Sequence, residues 1–281
     1  MCPVAARNPL NGSAKVGADS ERSRGRAVLF PRLPSFLLIL SLSYAPSAFP
    51  QQATAAEPAE TRGQARAVVQ LLAIGPGGGD KNRECSATGF LVSPEGYILT
   101  NAHVMEEAQR CLGRNPHARI LAKLAASESR TAKAISCDLV GLDELHDLAV
   151  LRTERPPTPA GQPVAYALLE PREVEEGTPV VVIGHPVFAW QPITQAGKVV
   201  RRATMGLSDR NTTKSDVLIL DISLRPGNSG SPVYDAGGQG VVGVVVSQDP
   251  SLPSHTVAVT IRDAIDLLDR YGVNWHAAGK R

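Results

Sequence analysis

Apolar and β-branched residues occur along this chain in short runs that are separated by turns containing glycine or proline. The runs lie at residues 67–74, 89–92, 97–100, 148–151, 179–184, 198–203, 217–223, 241–246 and 256–261. Runs of this length, rich in Val and Ile and bounded by Gly or Pro, are typical of buried β-strands. The pattern therefore predicts an all-β domain that begins near residue 67.

The turns between the runs refine this prediction. Ser93-Pro94-Glu95-Gly96 separates two runs and predicts a hairpin, because Pro presets φ for a turn and Gly accepts a positive φ. The Pro-rich segment 156–163 cannot lie in a central strand. We therefore expect a boundary there between two units, 67–160 and 161–275. Short helices are predicted at 104–110 and 261–271.

The amino-terminal region has the order of an export signal. Four arginines precede an apolar run at residues 36–45, which Ala and Ser follow: Arg22, Arg24, Arg26 and Arg32. A membrane-spanning helix needs about 20 apolar residues, so the run is short for a span. Residues 1–50 are predicted to be an export signal, or alternatively an uncleaved anchor facing the periplasm, and 51–66 a linker. The folded part is expected in the periplasm or outside the cell.

Composition excludes some classes of function. The chain has 281 residues, 43% of them hydrophobic and 20% charged, with a net charge of +2. This composition is that of an ordinary soluble protein and gives no basis for nucleic-acid binding. The sequence contains neither a C-x-x-C nor an H-E-x-x-H pattern, so we expect no metal and no cofactor.

Four cysteines occur, of which Cys2 would leave with the signal. Cys85, Cys111 and Cys137 remain, an odd number for an oxidising compartment. One disulfide and one free thiol are expected. A bridge between Cys85 and Cys111 would hold the segment around His103, but Cys137 could pair with either, and the spacing does not decide.

Three polar residues stand beside strand-like runs in the order His103, Asp147, Ser229. A serine hydroxyl is a weak nucleophile until an imidazole takes its proton, and the imidazole needs an acceptor that fixes its tautomer. Ser229 lies within Gly227-Asn228-Ser229-Gly230, where small residues allow a sharp turn that presents N–H groups. These residues are the predicted catalytic set.

Three other acidic residues lie close to Asp147 and compete to supply the carboxylate that orients His103: Asp138, Asp143 and Glu144. The buried run behind Asp147 favours it. The α/β-hydrolase fold is excluded for two reasons. Its G-x-S-x-G motif would need Gly at the position of Ser231, and its serine precedes the histidine in the chain, whereas Ser229 follows His103.

The segment ATGFLVSPEGYILTNAHV at residues 87–104, together with HDLAVL at 146–151 and PGNSGSP at 226–232, resembles trypsin-like serine proteases of the bacterial HtrA/Deg type. The resemblance covers roughly residues 67–270. It implies two six-stranded antiparallel β-barrels of the chymotrypsin type with a short C-terminal helix. It also implies catalytic groups between the barrels and an oxyanion hole formed by the N–H groups of Gly227 and Ser229. HtrA-type proteins usually continue into PDZ domains, which we expect to be absent here.

The same resemblance places a substrate pocket. Counting back six residues from Ser229 gives Ser223 at its base, where an Asp would select Lys or Arg. Val244, Val245 and Ala258 are expected as its walls, so small or medium aliphatic P1 residues are predicted. Asn228 stands where digestive relatives carry Asp. Because a buried Asp needs a cation and Asn needs only hydrogen bonds, we expect activity without zymogen cleavage.

The prediction is therefore an exported serine endopeptidase that acts on polypeptides through an acyl-enzyme. Two alternatives remain: a catalytically silent binding or chaperone protein on the same fold, and an envelope structural protein. Contact with a membrane is expected only if the amino-terminal segment stays uncleaved. The sequence leaves the natural substrate and the oligomeric state open.

Overall fold

The computed structural model of the protein describes residues 63–74, 85–113, 119–124, 134–157, 163–187, 189–207, 214–237, 240–249 and 252–276. The predicted export signal lies outside these residues, as do most of the linker and the predicted unit boundary near residue 160. None of the helices in the described ranges has both the length and the hydrophobicity needed to cross a bilayer.

Six antiparallel strands form a first closed barrel in the order β1-β2-β3-β6-β5-β4, with β4 pairing back to β1. Their bounds are β1 Val68–Ile74, β2 Ser86–Leu91, β3 Tyr97–Thr100, β4 Arg119–Leu124, β5 Ile135–Asp143 and β6 Leu148–Thr153. Helix α1, Ala102–Leu112, follows β3 directly and covers part of this barrel. The barrel interior is filled by alternate apolar side chains such as Val69, Leu71 and Ile98.

A second barrel has the order β11-β8-β9-β10-β13-β12 and closes through β11 and β12, and β7 adds to β12 in parallel. The bounds are β7 Leu168–Leu169, β8 Pro179–Gly184, β9 Ile193–Met205, β10 Ser215–Leu220, β11 Pro232–Asp235, β12 Gly240–Asp249 and β13 Leu252–Thr260. Helix α2, Ile261–Arg270, follows β13. The predicted fold class, two six-stranded barrels and a C-terminal helix, is confirmed.

One hydrophobic cluster joins the two barrels and the last helix. It contains Phe90 and Leu148 from the first barrel, Ile183 and Tyr234 from the second, and Leu268 from α2, all 1% exposed or less. Burying side chains of this size contributes about 1.5–3 kcal/mol each. The two barrels are therefore parts of one packed structure.

A disulfide connects Cys85, directly before β2, to Cys111 in the last turn of α1. Cys137 is free and buried in β5. Burial raises the pKa of the Cys137 thiol to about 12, so it stays protonated and packs as an apolar side chain. The structure thus selects one of the pairings that the spacing left open.

Candidate active site

His103 lies in the first turn of α1, and Asp147 lies in the turn between β5 and β6. The His103 Nδ1 is 2.7 Å from Asp147 Oδ2, and the backbone N–H of His103 donates to Oδ1 at 2.8 Å. First-turn N–H groups have no partner within their helix, so one is available for the carboxylate. Both oxygens of Asp147 therefore fix the position of His103, and the Nε2 atom of His103 takes part in neither of these bonds.

Asp147 has a φ of 53°, in the left-handed region that Asp and Asn tolerate better than most residues. Its carbonyl accepts a hydrogen bond of 3.0 Å from the Nδ2 of the buried Asn101. The side chain is 8% exposed, against 32% for His103. The pair thus combines a buried, held carboxylate with an imidazole that solvent and substrate can reach.

The other acidic candidates lie elsewhere. Asp143 accepts hydrogen bonds from the backbone of Leu145 and His146 and lies 3.1 Å from His146 Nδ1. Asp138 and Glu144 are exposed. Of the four acidic candidates, the structure brings only Asp147 to His103.

Two opposing effects act on the pKa of His103. Burial lowers it, whereas the hydrogen bond and the charge of Asp147 raise it. The charges of Glu107 and Glu106 add to the increase, and the net pKa lies above the ordinary value. The site therefore stabilises the protonated imidazole more than water does. Such stabilisation suits a group that accepts a proton during a reaction.

Ser229 lies in the loop between β10 and β11, after Gly227 with a φ of 96°. A Cβ on Gly227 would lie 2.7 Å from both the His185 carbonyl oxygen and the Val187 nitrogen, so the loop needs glycine there. The carbonyl of Pro226 accepts a hydrogen bond of 2.9 Å from the N–H of Val187. Since a trans peptide is planar, the Gly227 N–H points the opposite way.

Within the described ranges, the N–H groups of Gly227 and Ser229 donate no hydrogen bond to the protein. Two unengaged N–H groups in one loop are the arrangement that can stabilise a developing oxyanion. The two donors predicted from the sequence are therefore both available.

The Ser229 hydroxyl donates to the carbonyl of Val246 at 3.3 Å, and no hydrogen bond joins it to His103 in the described part of the chain. Hydrogen bonds nevertheless link the loop of Ser229 to the strand that precedes His103. The Ser229 carbonyl accepts from the Thr88 N–H at 3.0 Å, and the Thr88 carbonyl accepts from Thr100 Oγ1 at 2.8 Å, three residues before His103. Reaction requires rotation of the hydroxyl toward the imidazole, and such bonds are often long before substrate binds.

Asn228 is buried, and its Nδ2 donates to the carbonyl of Arg225 at 2.8 Å within the same loop. A neutral amide is satisfied by this bond and needs no counter-ion. His185, just after β8, is buried behind the loop. Burial and the nearby charge of Lys123 lower its pKa to about 4, so its imidazole is neutral at pH 7.

An open pocket of about 200 Å³ lies beside Ser229. Its nine lining residues come from the Ser229 loop and from β12: Leu224, Arg225, Pro226, Asn228, Ser229, Val245, Val246, Ser247 and Gln248. The Gln248 Nε2 donates to the Leu224 carbonyl at 2.7 Å and joins the two walls. Of these described lining residues, only Arg225 carries a charge.

The residues predicted for this pocket lie in different places. Val245 lines it. Val244 is buried in the cluster that joins the barrels, and Ala258 is buried inside the second barrel, opposite Val245 in the β12–β13 register. Ser223 is exposed and is not among the lining residues, and its carbonyl accepts from Gln195 Nε2 at 3.1 Å. Val244 thus lies on the opposite face of β12 from Val245, whereas Ala258 shares the face of Val245 but does not line the pocket.

Several residues that hold the site were not predicted from the sequence. Asn101 stands two residues before His103, so its position could have indicated a role in holding it. Thr88 and Gln248 carry no such signal, since Thr in a strand and Gln near a strand end are common. In the described residues, no group of three His, Cys, Asp or Glu side chains is arranged to hold a metal ion.

Comparison with known proteins agrees with this geometry. The profile of the trypsin-like peptidase domain matches residues 87–244, more than half of the chain. A probable periplasmic serine endoprotease, DegP-like, from Hahella chejuensis is 31% identical over 195 residues, which cover 68% of this chain and 36% of that protein. A protein of the same description from Pseudomonas savastanoi pv. phaseolicola is 30% identical over 202 residues, covering 70% and 37%. The chain thus spans about a third of the length of these relatives.

Solved structures show the same fold. The active form of the Rv3671c protease from M. tuberculosis has a TM-score of 0.60 and 20% identity, covering 88% of this chain and 96% of that one. The structure of Deg5 has a TM-score of 0.59 and 22% identity, covering 78% and 94%. Because the domain profile matches more than half of the chain, the chain belongs to the trypsin-like peptidase family.

Proposed function

We propose that the protein is a serine endopeptidase in which Ser229 is the nucleophile, His103 the general base and Asp147 the residue that orients His103. The observation that carries the proposal is the pair of hydrogen bonds from His103 to the two carboxylate oxygens of Asp147, at 2.7 and 2.8 Å. Its support is the loop of Ser229, whose unengaged N–H groups suit an oxyanion hole.

In the proposed reaction, Ser229 Oγ bonds to the carbonyl carbon of the substrate while His103 Nε2 takes the hydroxyl proton. The electron pair of the carbonyl moves to its oxygen, which the N–H groups of Gly227 and Ser229 stabilise. His103 then gives the proton to the leaving amine as the C–N bond breaks and the acyl-enzyme forms. Water next attacks the acyl carbon while His103 Nε2 takes its proton, and that proton passes to Ser229 Oγ as the ester bond breaks and the acid is released. Asp147 stays ionised throughout and stabilises the imidazolium.

The proposed substrates are polypeptides with a small or medium aliphatic P1 residue. The pocket beside Ser229 supports this preference, because Val245 and Val246 line it and its single charge, on Arg225, belongs to an exposed residue. A buried carboxylate that would select Lys or Arg is not among the lining residues. Asn228 supports activity without zymogen cleavage, since its amide is satisfied inside the loop.

We further propose that the protein is exported. Two kinds of observation support this: the DegP-like relatives are named as periplasmic, and the disulfide between Cys85 and Cys111 is of a kind that persists in oxidising compartments. The alternative of an uncleaved anchor concerns residues outside the described ranges.

The proposal is tested by treating the purified protein and Ser229→Ala with a fluorophosphonate probe and with a peptide library varied at P1. We expect labelling and cleavage by the parent, fastest after small aliphatic residues, and loss of both in Ser229→Ala because the attacking oxygen is gone. Ser254→Ala, which removes an exposed hydroxyl on β13, is the matched control and should behave like the parent.

A folded parent that neither labels nor cleaves would contradict the proposal. It would favour the catalytically silent binding protein, the alternative with which the hydrogen bond between Ser229 Oγ and the Val246 carbonyl is most consistent.

A further inference from the structure

Thr88 is a strand residue of the first barrel whose side chain contacts the Ser229 loop of the second. It lies in β2 and is fully buried. Its Oγ1 donates to the Gly227 carbonyl at 2.7 Å and accepts from the His185 N–H at 2.9 Å. Its backbone N–H donates to the Ser229 carbonyl at 3.0 Å. One residue therefore makes three hydrogen bonds to the second barrel, two of them to the loop that carries the nucleophile.

The backbone groups of Thr88 can bond to residues outside the sheet because β3 is short. Pairing between β2 and β3 includes Phe90 with Leu99 and Leu91 with Ile98, and β3 ends at Thr100, before it would reach Thr88. The N–H and carbonyl of Thr88 on that edge therefore lack a strand partner. Ser229 and Thr100 take these positions instead, so the edge of the first barrel becomes a binding surface for the loop.

The carbonyl groups of four consecutive loop residues, 226–229, each accept a hydrogen bond. The Val187 N–H holds the Pro226 carbonyl at 2.9 Å, and the Ser231 N–H holds that of Asn228 at 3.0 Å. Because peptides are planar, these two bonds orient the N–H groups of Gly227 and Ser229. The two remaining carbonyls, of Gly227 and Ser229, are both held by Thr88.

The Thr88 hydroxyl acts at the most deformable point of the loop. It fixes the peptide that follows Gly227, a residue whose positive φ and missing side chain allow rotation about its backbone. Without this bond the Gly227 carbonyl loses its buried donor, and the peptide after Gly227 is then held by the longer bond from the Asn228 N–H to the Arg225 carbonyl at 3.3 Å. Movement of that peptide would displace the residues on both sides of it, so the N–H groups of Gly227 and Ser229 would be less well placed for the oxyanion.

We propose that Thr88 is a positioning residue for the oxyanion hole, acting through its hydroxyl on the Gly227 peptide and through its N–H on the Ser229 carbonyl. The proposal rests on the function proposed above and extends it to a residue outside the catalytic set. Thr88 does not touch the substrate. Thr88 couples the first barrel to the loop of the second barrel that carries the N–H groups of Gly227 and Ser229.

The test compares Thr88→Val, which keeps the shape but removes the hydroxyl, with Thr88→Ser, which keeps the hydroxyl. Thr153→Val is the matched control, because Thr153 is also a buried strand threonine whose Oγ1 donates to a glycine carbonyl, that of Gly96 at 3.2 Å. Measured quantities are kcat and KM for a cleavable peptide, and the affinity for a peptide boronate, which forms a tetrahedral adduct with the nucleophile.

We expect Thr88→Val to lower kcat by about 10- to 100-fold with KM changed less than threefold, because a misplaced oxyanion donor affects the transition state more than the bound substrate. Boronate affinity should fall in parallel with kcat. Thr88→Ser should recover most of the lost rate, and Thr153→Val should keep the parent kcat. Rates are normalised to the fraction of sites that the fluorophosphonate labels, so that loss of folded protein is not counted. If Thr88→Val does not fold, Thr88→Ala replaces it.

Parent values of kcat and boronate affinity in Thr88→Val would overturn the proposal, as would a Thr88→Ser variant as slow as Thr88→Val. These outcomes leave the proposed endopeptidase intact, because the parent is still labelled and active. A parent that neither labels nor cleaves would overturn both.

Discussion

At the level of single residues, His103 and Asp147 form the best defined contact of the site. Two hydrogen bonds hold the pair, and the carboxylate is buried while the imidazole is partly open. Burial lowers the pKa of His103, but the hydrogen bond and charge of Asp147, together with the charges of Glu107 and Glu106, raise it above the ordinary value. The pH dependence of activity should report this balance.

We expect kcat/KM to rise with pH through a midpoint above about 6.5, since only the neutral imidazole can take the proton and its pKa is raised. Asp147→Asn should lower kcat by about 10⁴-fold. It should also lower the midpoint relative to the parent, because the largest contributions that oppose burial are then lost. Initial rates of peptide cleavage between pH 4 and pH 9 measure both effects.

Glu107→Gln is the control for this prediction. Its charge contributes less than Asp147 to the pKa of His103, so it should shift the midpoint downward only slightly and leave kcat unchanged. A midpoint at or below 6.5 in the parent would contradict the raised pKa of His103.

The sequence indicated the contact between His103 and Asp147 better than it indicated the residues that line the pocket. His103, Asp147 and Ser229 each stand beside a strand within a recognisable segment. Val244 and Val245 are neighbours in one strand, so their side chains point to opposite faces, and no sequence pattern tells which face meets the pocket. Thr88 was missed because its role depends on where β3 ends.

At the level of elements, most strands were predicted, but the ends of only some of them were. The runs at 97–100 and 179–184 agree with β3 and β8, whereas β9 extends from Ile193 to Met205 because solvent-facing polar residues continue the strand beyond its apolar part. Strand β5 was missed, since a register shift between Leu139 and Gly141 breaks its alternation. Strand β11 was also missed, because it starts at Pro232.

The disulfide is the element that joins β2 to the end of α1, the helix that begins beside His103. Replacing both cysteines, Cys85→Ser with Cys111→Ser, should lower the free energy of unfolding by about 3 kcal/mol, because the bridge closes a segment with a sequence separation of 26 residues. Urea unfolding followed by circular dichroism measures the change.

Reductant provides the control for the disulfide prediction. It should bring the parent to the stability of the double variant and leave the double variant unaffected, since Cys137 is unbridged. Equal stability of the oxidised parent and the double variant would contradict the predicted contribution.

At the level of the whole molecule, the shared cluster of Phe90, Leu148, Ile183, Tyr234 and Leu268 should make the two barrels unfold together. Hydrogen exchange measured by mass spectrometry in increasing urea should show β1, β6 and β12 losing protection at the same urea concentration, because exposing the cluster from one barrel exposes it from the other. Ser229→Ala is used to prevent self-digestion. Loss of protection in β1 and β6 before β12 would show that the first barrel unfolds alone.

The order of these contacts along the chain also bears on biosynthesis. Thr88, His103 and Asp147 leave the ribosome long before Ser229, and α2, which completes the shared cluster, comes last among the elements described here. For the proposed peptidase, a growing chain then holds a base and an anchoring edge but no nucleophile seated between them. Proteolytic activity would therefore require the chain through Arg270, because α2 completes the cluster on which both barrels pack.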